Sequence, residues 1–204
     1  MRKYTALFLK QQKSAPAAAQ HSALRAPPSS KPSRKPEPII LLSPSASSLL
    51  RLSNIKSFLT DGIYTPPTSA SAVNMLQISR LLPSIDPHRP TRFILVESPE
   101  NFKPDYWNRV VAVFTTGQSW QFKGYKWSTP AELFSKVLGV YVGWRNDVAP
   151  EAVKGWGRGV LSVGVEHWRE GQNEAMRWRD REVVEEIWSA IETSMRAKGF
   201  GRDR

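Results

Sequence analysis

Two uninterrupted apolar runs set what this chain can become. Ile39-Ile-Leu-Leu42 stands between Pro38 and Ser43-Pro44, and Val110-Val-Ala-Val-Phe114 follows later. A short unbroken apolar run bounded by turn formers marks a strand buried on both faces, and such strands sit in parallel sheets covered by helices on each side. The segments between have the matching helical period. Leu49, Leu52, Ile55 and Phe58 or Leu59 recur at helical spacing, and Asp61-Gly62 closes that helix with a glycine. Arg92 to Val96 predicts a second strand, and Pro104 to Trp107 one helical turn. Thr129-Pro-Ala-Glu132 predicts a helix start with a reciprocal cap, followed by a buried stripe of Leu133, Phe134, Val137 and Leu138. Val140 to Trp144 and Val160 to Val165 alternate as strands. A last helix begins near Asp180, carries Val183, Val184, Ile187, Trp188, Ile191 and Met195 on one face, and stops at Gly199. Residues 64–91 are rich in Pro and Ser around the short apolar stretch Met75 to Leu82, and read as an irregular excursion. The alternation predicts a three-layer α/β domain with a mostly parallel sheet over residues 39–204, with strand 110–114 central.

Residues 1–38 read differently. They hold eight Lys or Arg, one acid (Glu37) and six of the 16 prolines. Such a segment cannot bury enough apolar surface to offset its chain entropy, so a disordered basic Pro/Ala/Ser-rich tail is expected there. Three readings of it stand open: a solvated linker, a nuclear-import or nucleic-acid patch at Lys31-Pro-Ser-Arg-Lys35, and a mitochondrial transit peptide. The whole chain carries +11, but residues 39–204 carry only +4, which predicts weak nucleic-acid binding by the folded part alone.

A search for catalytic chemistry finds none. The absence of Cys excludes disulfides, thiolate metal sites and a Cys nucleophile. Three scattered His offer no zinc spacing. The loop after the first strand, Ser43-Pro-Ser-Ala-Ser-Ser48, has neither the glycines nor the Lys of a phosphate-binding loop. Gly117-Gln-Ser119-Trp lacks the second glycine of a nucleophile elbow. Glu185-Glu186 lies on a charged helix face, and Gly155-Trp-Gly-Arg-Gly159 reads as a turn before a strand. No catalytic residue, cofactor, metal or nucleotide is expected, and no apolar run approaches the roughly 20 residues of a membrane-spanning helix.

The unusual segment is Trp120-Gln-Phe-Lys-Gly-Tyr-Lys-Trp127, with four aromatics and two Lys in eight residues. One reading is an exposed platform of rings and cations for peptide, phosphate or single-stranded nucleic acid. The other is that the rings cap the edge of the core while Gly124 turns the chain. Trp120 and Phe122 suit the second reading; Lys123, Tyr125 and Lys126 suit the first.

Arg109-Val-Val-Ala-Val-Phe-Thr-Thr-Gly-Gln-Ser-Trp-Gln-Phe-Lys-Gly-Tyr-Lys-Trp127, with Pro130 and Leu133-Phe134-Ser-Lys136 after it, resembles the C-terminal domain of the parafibromin family of RNA polymerase II accessory factors. Ile39-Ile-Leu-Leu-Ser-Pro44, Asn54-Ile-Lys-Ser-Phe-Leu-Thr-Asp-Gly62 and Pro150-Glu-Ala-Val-Lys-Gly-Trp156 agree with it. The resemblance spans about residues 39–198. It implies a Ras-like (GTPase-like) fold without nucleotide binding, in a subunit of the polymerase-associated factor complex. The role implied is non-enzymatic: association with RNA polymerase II, the elongation machinery, the other subunits of that complex and chromatin, in the nucleus. Family members carry a long N-terminal region, so a chain beginning at Met1 just before this domain is expected to be a fragment or a truncated gene model. Residues 64–91 depart from the family pattern, and Lys103 stands where a capping Thr or Ser is expected before Pro104.

In a parallel α/β sheet, binding surfaces collect where loops leave the carboxyl ends of strands. The loop at 43–48 and the loop after 110–114 both do so, and in a Ras-like sheet they are neighbours. Arg51, Lys56, Lys123, Tyr125 and Lys126 are therefore the expected partner-binding residues, for an acidic or phosphorylated peptide. The competing reading is that they are ordinary surface cations.

Overall fold

The computed structural model describes residues 36–68, 74–171 and 177–201; the tail expected at 1–35 lies outside them. The first apolar run forms β1 (Ile39–Leu41), and Ile40 and Leu42 face one core while Ile39 and Leu41 face another. Burial on both faces is what made this run continuous in the sequence. The second run forms β4 (Val110–Thr115), with every residue buried. Around them stand β2 (Met75–Leu82), β3 (Asp86–Val96), β5 (Leu138–Trp144) and β6 (Val160–Val165). The sheet order is β2-β3-β1-β4-β5-β6. β2 pairs antiparallel with β3, and every other pairing is parallel. The mostly parallel, Ras-like sheet is as expected, with β4 central and next to β1.

Helices cover both faces. α1 (Ile55–Asp61) and α4 (Trp178–Ala197) lie on the first. The six stripe residues of α4 are all buried as the spacing requires, and Trp188 also donates its indole N–H to the Leu59 carbonyl at 3.1 Å. α4 begins two residues before Asp180, because Asp180 is not a solvated first-turn acid. It is buried, accepts the Arg177 Nε–H at 2.5 Å and accepts the Tyr64 backbone N–H at 3.0 Å. α2 (Pro130–Lys136) and α3 (Glu151–Gly155) accompany the second face. Between them short 3₁₀ turns at Pro104–Arg109, Ser119–Phe122 and Gly157–Gly159 carry the chain.

Several expectations are corrected. Residues 64–91 are not an irregular excursion throughout: β2 occupies 75–82, and β3 begins at Asp86 rather than Arg92. Leu82 pairs with Asp86 and Arg80 with Thr91, so residues 87–90 bulge out of the ladder with Pro87 and Pro90 among them. A proline in a bulge has no ladder bond to lose, and that is how a strand hides in a Pro-rich segment. The first helix starts at Ile55, not Leu49, because Asn54 holds 49–54 in turns. Its amide donates to the carbonyls of Leu49 at 2.8 Å and Thr65 at 2.6 Å. Thr129 does precede α2 with Pro130 in the first turn, but its side chain makes no capping bond. Leu138 belongs to β5, not to the helix stripe. The Gly155–Gly159 turn is preceded by the unanticipated α3. The folded part also starts earlier than Ile39. Pro38 accepts the Ile94 N–H at 2.9 Å, and the Glu37 carboxylate meets Arg92 at 3.1 Å.

Candidate functional site

The loops leaving β1 and β4 touch, as their adjacency required. Ser43 Oγ donates to Gln121 Oε1 at 3.2 Å, and Ser45 Oγ donates to Gln118 Oε1 at 3.3 Å. Gln121 is buried at 5% exposure. Its amide nitrogen donates to the Phe114 carbonyl at 2.8 Å and to Tyr125 Oη at 3.2 Å. The carboxyl end of the β1–β4 boundary is therefore filled by a glutamine side chain and bonded shut. That crevice is where a doubly wound sheet would receive a ligand.

Beside it a cavity of about 240 Å³ opens among Ser47, Ser48, Thr115, Thr116, Tyr141 and Asp147. Burial, and then the Asp147 carboxylate, push the Tyr141 phenol above its usual pKa. Among the described residues lining this cavity there is no Lys or Arg, and Asp147 brings negative charge. An adjoining cavity of about 420 Å³ shares Tyr141 and Asp147 and is bordered by Arg145 and Arg179.

The expected binding residues divide. Lys123 and Lys126 are exposed, and the Lys126 ammonium sits 5.1 Å from the Trp127 ring centroid. Tyr125 is a correction: at 7% exposure it belongs to the second core, packed on Trp107 and Phe122 at 5.4 and 5.6 Å between ring centroids. Burial raises its phenol pKa against the opposing pull of the Gln121 hydrogen bond. The tyrosine body joins the rings while its hydroxyl finds a partner inside. Arg51 turns toward β3, with Nε 3.8 Å from Glu97 Oε1. Lys56 is exposed on α1, over the first face. Lys123 follows the 3₁₀ turn whose Phe122 packs on the second face. The five thus do not form one cluster: Arg51 and Lys56 belong to the α1 side, Lys123 and Lys126 to the other.

The aromatic segment also divides. Phe122 is fully buried, as the core reading had it. Trp120, assigned to the core edge, is instead 48% exposed. Its indole N–H donates at 3.0 Å to Gln118 Oε1, the atom that also accepts from Ser45. A large ring is thus held out from the surface by the same glutamine that ties the two loops. Sequence reasoning missed both glutamines. The Gly117-Gln-Ser-Trp-Gln121 block held them, but their Ser partners lie more than seventy residues away.

Comparison with known proteins agrees with this fold. Cell division control protein 73 of Schizosaccharomyces pombe is 45% identical over 169 residues, covering 79% of this chain and 43% of that protein. The protein of the same name from Saccharomyces cerevisiae is 38% identical over 167 residues, covering 80% and 40%. The Arabidopsis thaliana CDC73 homolog is 31% identical over 173 residues, covering 79% and 39%. The chain spans about two fifths of the length of these relatives. A solved structure described as the conserved domain of yeast Cdc73 matches with a TM-score of 0.71 at 38% identity, covering 80% of this chain and 99% of that one. Residues 34–194 match the family model for the RNA pol II accessory factor, Cdc73 family, C-terminal region, and the chain belongs to that family.

Proposed function

We propose that this domain is a non-enzymatic interaction module of transcription elongation. In this reading it works in the nucleus and helps hold the polymerase-associated factor complex on RNA polymerase II and chromatin. Family membership supports the setting. The observation that carries the non-enzymatic part is the bonded closure of the β1–β4 crevice by Gln121. A fold of this shape with its ligand crevice filled by its own side chains is left with its surface to work with.

The surface best suited to a partner is the loop after β4, where Trp120, Lys123 and Lys126 are exposed together. A fixed exposed indole gives an apolar anchor, and the two ammonium groups suit a phosphorylated or acidic segment through charge-assisted hydrogen bonds. The test is a titration with phosphorylated and unphosphorylated polymerase tail-repeat peptides. Lys123→Glu with Lys126→Glu should weaken phosphopeptide binding at least tenfold, about 1.4 kcal/mol, with stability unchanged. Equal binding by the parent and the double variant, or by both peptide forms, overturns this surface.

A further inference from the structure

The carboxyl edge of the sheet holds the loops described above; its amino edge carries another chemistry. Because β1, β3, β4, β5 and β6 run parallel, the residues entering these strands gather along one edge. The register aligns Ile39 with both Ile94 and Val110, Ala112 with Leu138, and Gly139 with Val160. Arg92, six residues into β3 but level with the start of β1, and Arg109, Lys136 and Arg158, before β4, β5 and β6, therefore lie toward that edge. α4 runs back to the same edge, where Lys198 Nζ donates to the Val110 carbonyl at 2.8 Å. Arg196 and Lys198 add two more cations there. Burial lowers the Lys198 pKa to about 8, which leaves it charged at neutral pH.

Some acids nearby are engaged, while Asp105 and Glu132 stand exposed one turn before Arg109 and Lys136. The Glu37 carboxylate meets Arg92 at 3.1 Å, and the Glu37 carbonyl accepts the Arg109 Nε–H at 2.8 Å. The Arg109 guanidinium also lies 5.2 Å from the Tyr106 ring centroid, so two of the arginines are held in place in advance. Glu192 accepts the Ser84 N–H at 2.7 Å, and Asp86 accepts the backbone N–H groups of His88 and Arg89 at 2.9 and 3.0 Å. Lys136, Arg158 and Arg196 are exposed.

We propose that this amino edge is a sequence-independent binding surface for the phosphate backbone of duplex nucleic acid. Across β3, β1, β4, β5 and β6 the row spans about 19 Å, at about 4.8 Å per strand. That matches about six base pairs of axial length at about 3.4 Å per pair. Single strands are gripped by exposed rings on which bases stack. Among the described residues the most exposed rings, Trp120 and Trp178, follow β4 and open α4, at the opposite end of the sheet. What the amino edge offers is charge in a row, which suits backbone phosphates and reads no sequence. The modest +4 of residues 39–204 conceals this segregation.

The test is fluorescence anisotropy of the full chain with a random-sequence DNA duplex of about 20 base pairs, titrated at several salt concentrations. The variant Lys136→Glu, Arg158→Glu, Arg196→Glu should bind at least tenfold more weakly at fixed salt. Its log–log salt slope should be shallower by roughly 3, at about 0.9 per lost phosphate contact. The control Lys56→Glu, Lys123→Glu, Lys126→Glu has the same charge change and should lose less than threefold. Circular-dichroism melting checks that both remain folded, and a Lys136→Gln, Arg158→Gln variant should give a smaller loss of the same kind. Undiminished binding by the edge variant overturns the proposal. So does equal loss in both triples, which would mean bulk charge. Tighter binding of a single strand of the same length, or displacement of the duplex by polyglutamate at matched charge, also overturns it.

Discussion

The two faces of the sheet are buried by different means. The first is covered by α1 and the 20-residue α4, and its core is largely aliphatic. The second receives only short elements, and its core is richer in rings, with Trp107, Phe122, Tyr125 and Phe134 among its aliphatic residues. Phe122 packs edge-on against Tyr125, Phe134 and Trp156, and Trp107 against Tyr125 and Trp127. A long helix buries a face by repeating modest side chains at helical spacing. Short turns cannot repeat, so each buried position must supply more area, and aromatic rings supply about 150–250 Å² each. The aromatic density of residues 120–127, which invited a binding interpretation, is in large part the way this face is packed.

That contrast predicts equal weight from unequal designs. Trp188→Ala on the first face and Phe122→Ala on the second should each destabilise by about 3–5 kcal/mol in urea unfolding, as large buried rings do. A loss below about 1 kcal/mol for Phe122→Ala would break the comparison, for the second face would then be no core. Gln121→Ala comes next. It strands Ser43 and the Phe114 carbonyl away from their partner and should cost about 1–3 kcal/mol, with proteolysis of the 43–48 loop as a second readout. No loss on either measure would mean the two loops are not tied through it. Smallest is Thr129→Ala. A working cap is worth about 1 kcal/mol, but the Thr129 side chain makes no capping bond, so the change should stay within about 0.5 kcal/mol. A full cap-sized loss would restore the reciprocal cap that the sequence suggested.

What could be read in the sequence follows the same division. β1 and β4 were legible because burial on both faces leaves no polar residue in the run. α4 was legible because one face is buried at a fixed period. β2 was not, since its inward row of Leu76, Ile78, Arg80 and Leu82 is broken by a charge whose partner, Glu185, sits on α4. Tyr125 was misplaced because a tyrosine serves equally well inside with a bonded hydroxyl or outside with a wet one. Of the expected binding residues, Lys123 and Lys126 stay accessible while Arg51 faces another side. That distinction depends on which face each loop crosses, and no local pattern records it.

The bulge at 87–90 has a meaning beyond strand assignment. β1 begins its pairing with β3 only at Ile94, so among the described residues the earlier part of β3 has no strand paired on that side. A long free edge is a template on which another chain can add a strand, and this is how soluble proteins begin to aggregate. Pro87 and Pro90 carry no N–H to offer, and the bulge bends the backbone out of line. The same residues that obscured the strand in the sequence make its open stretch a poor template for a second molecule.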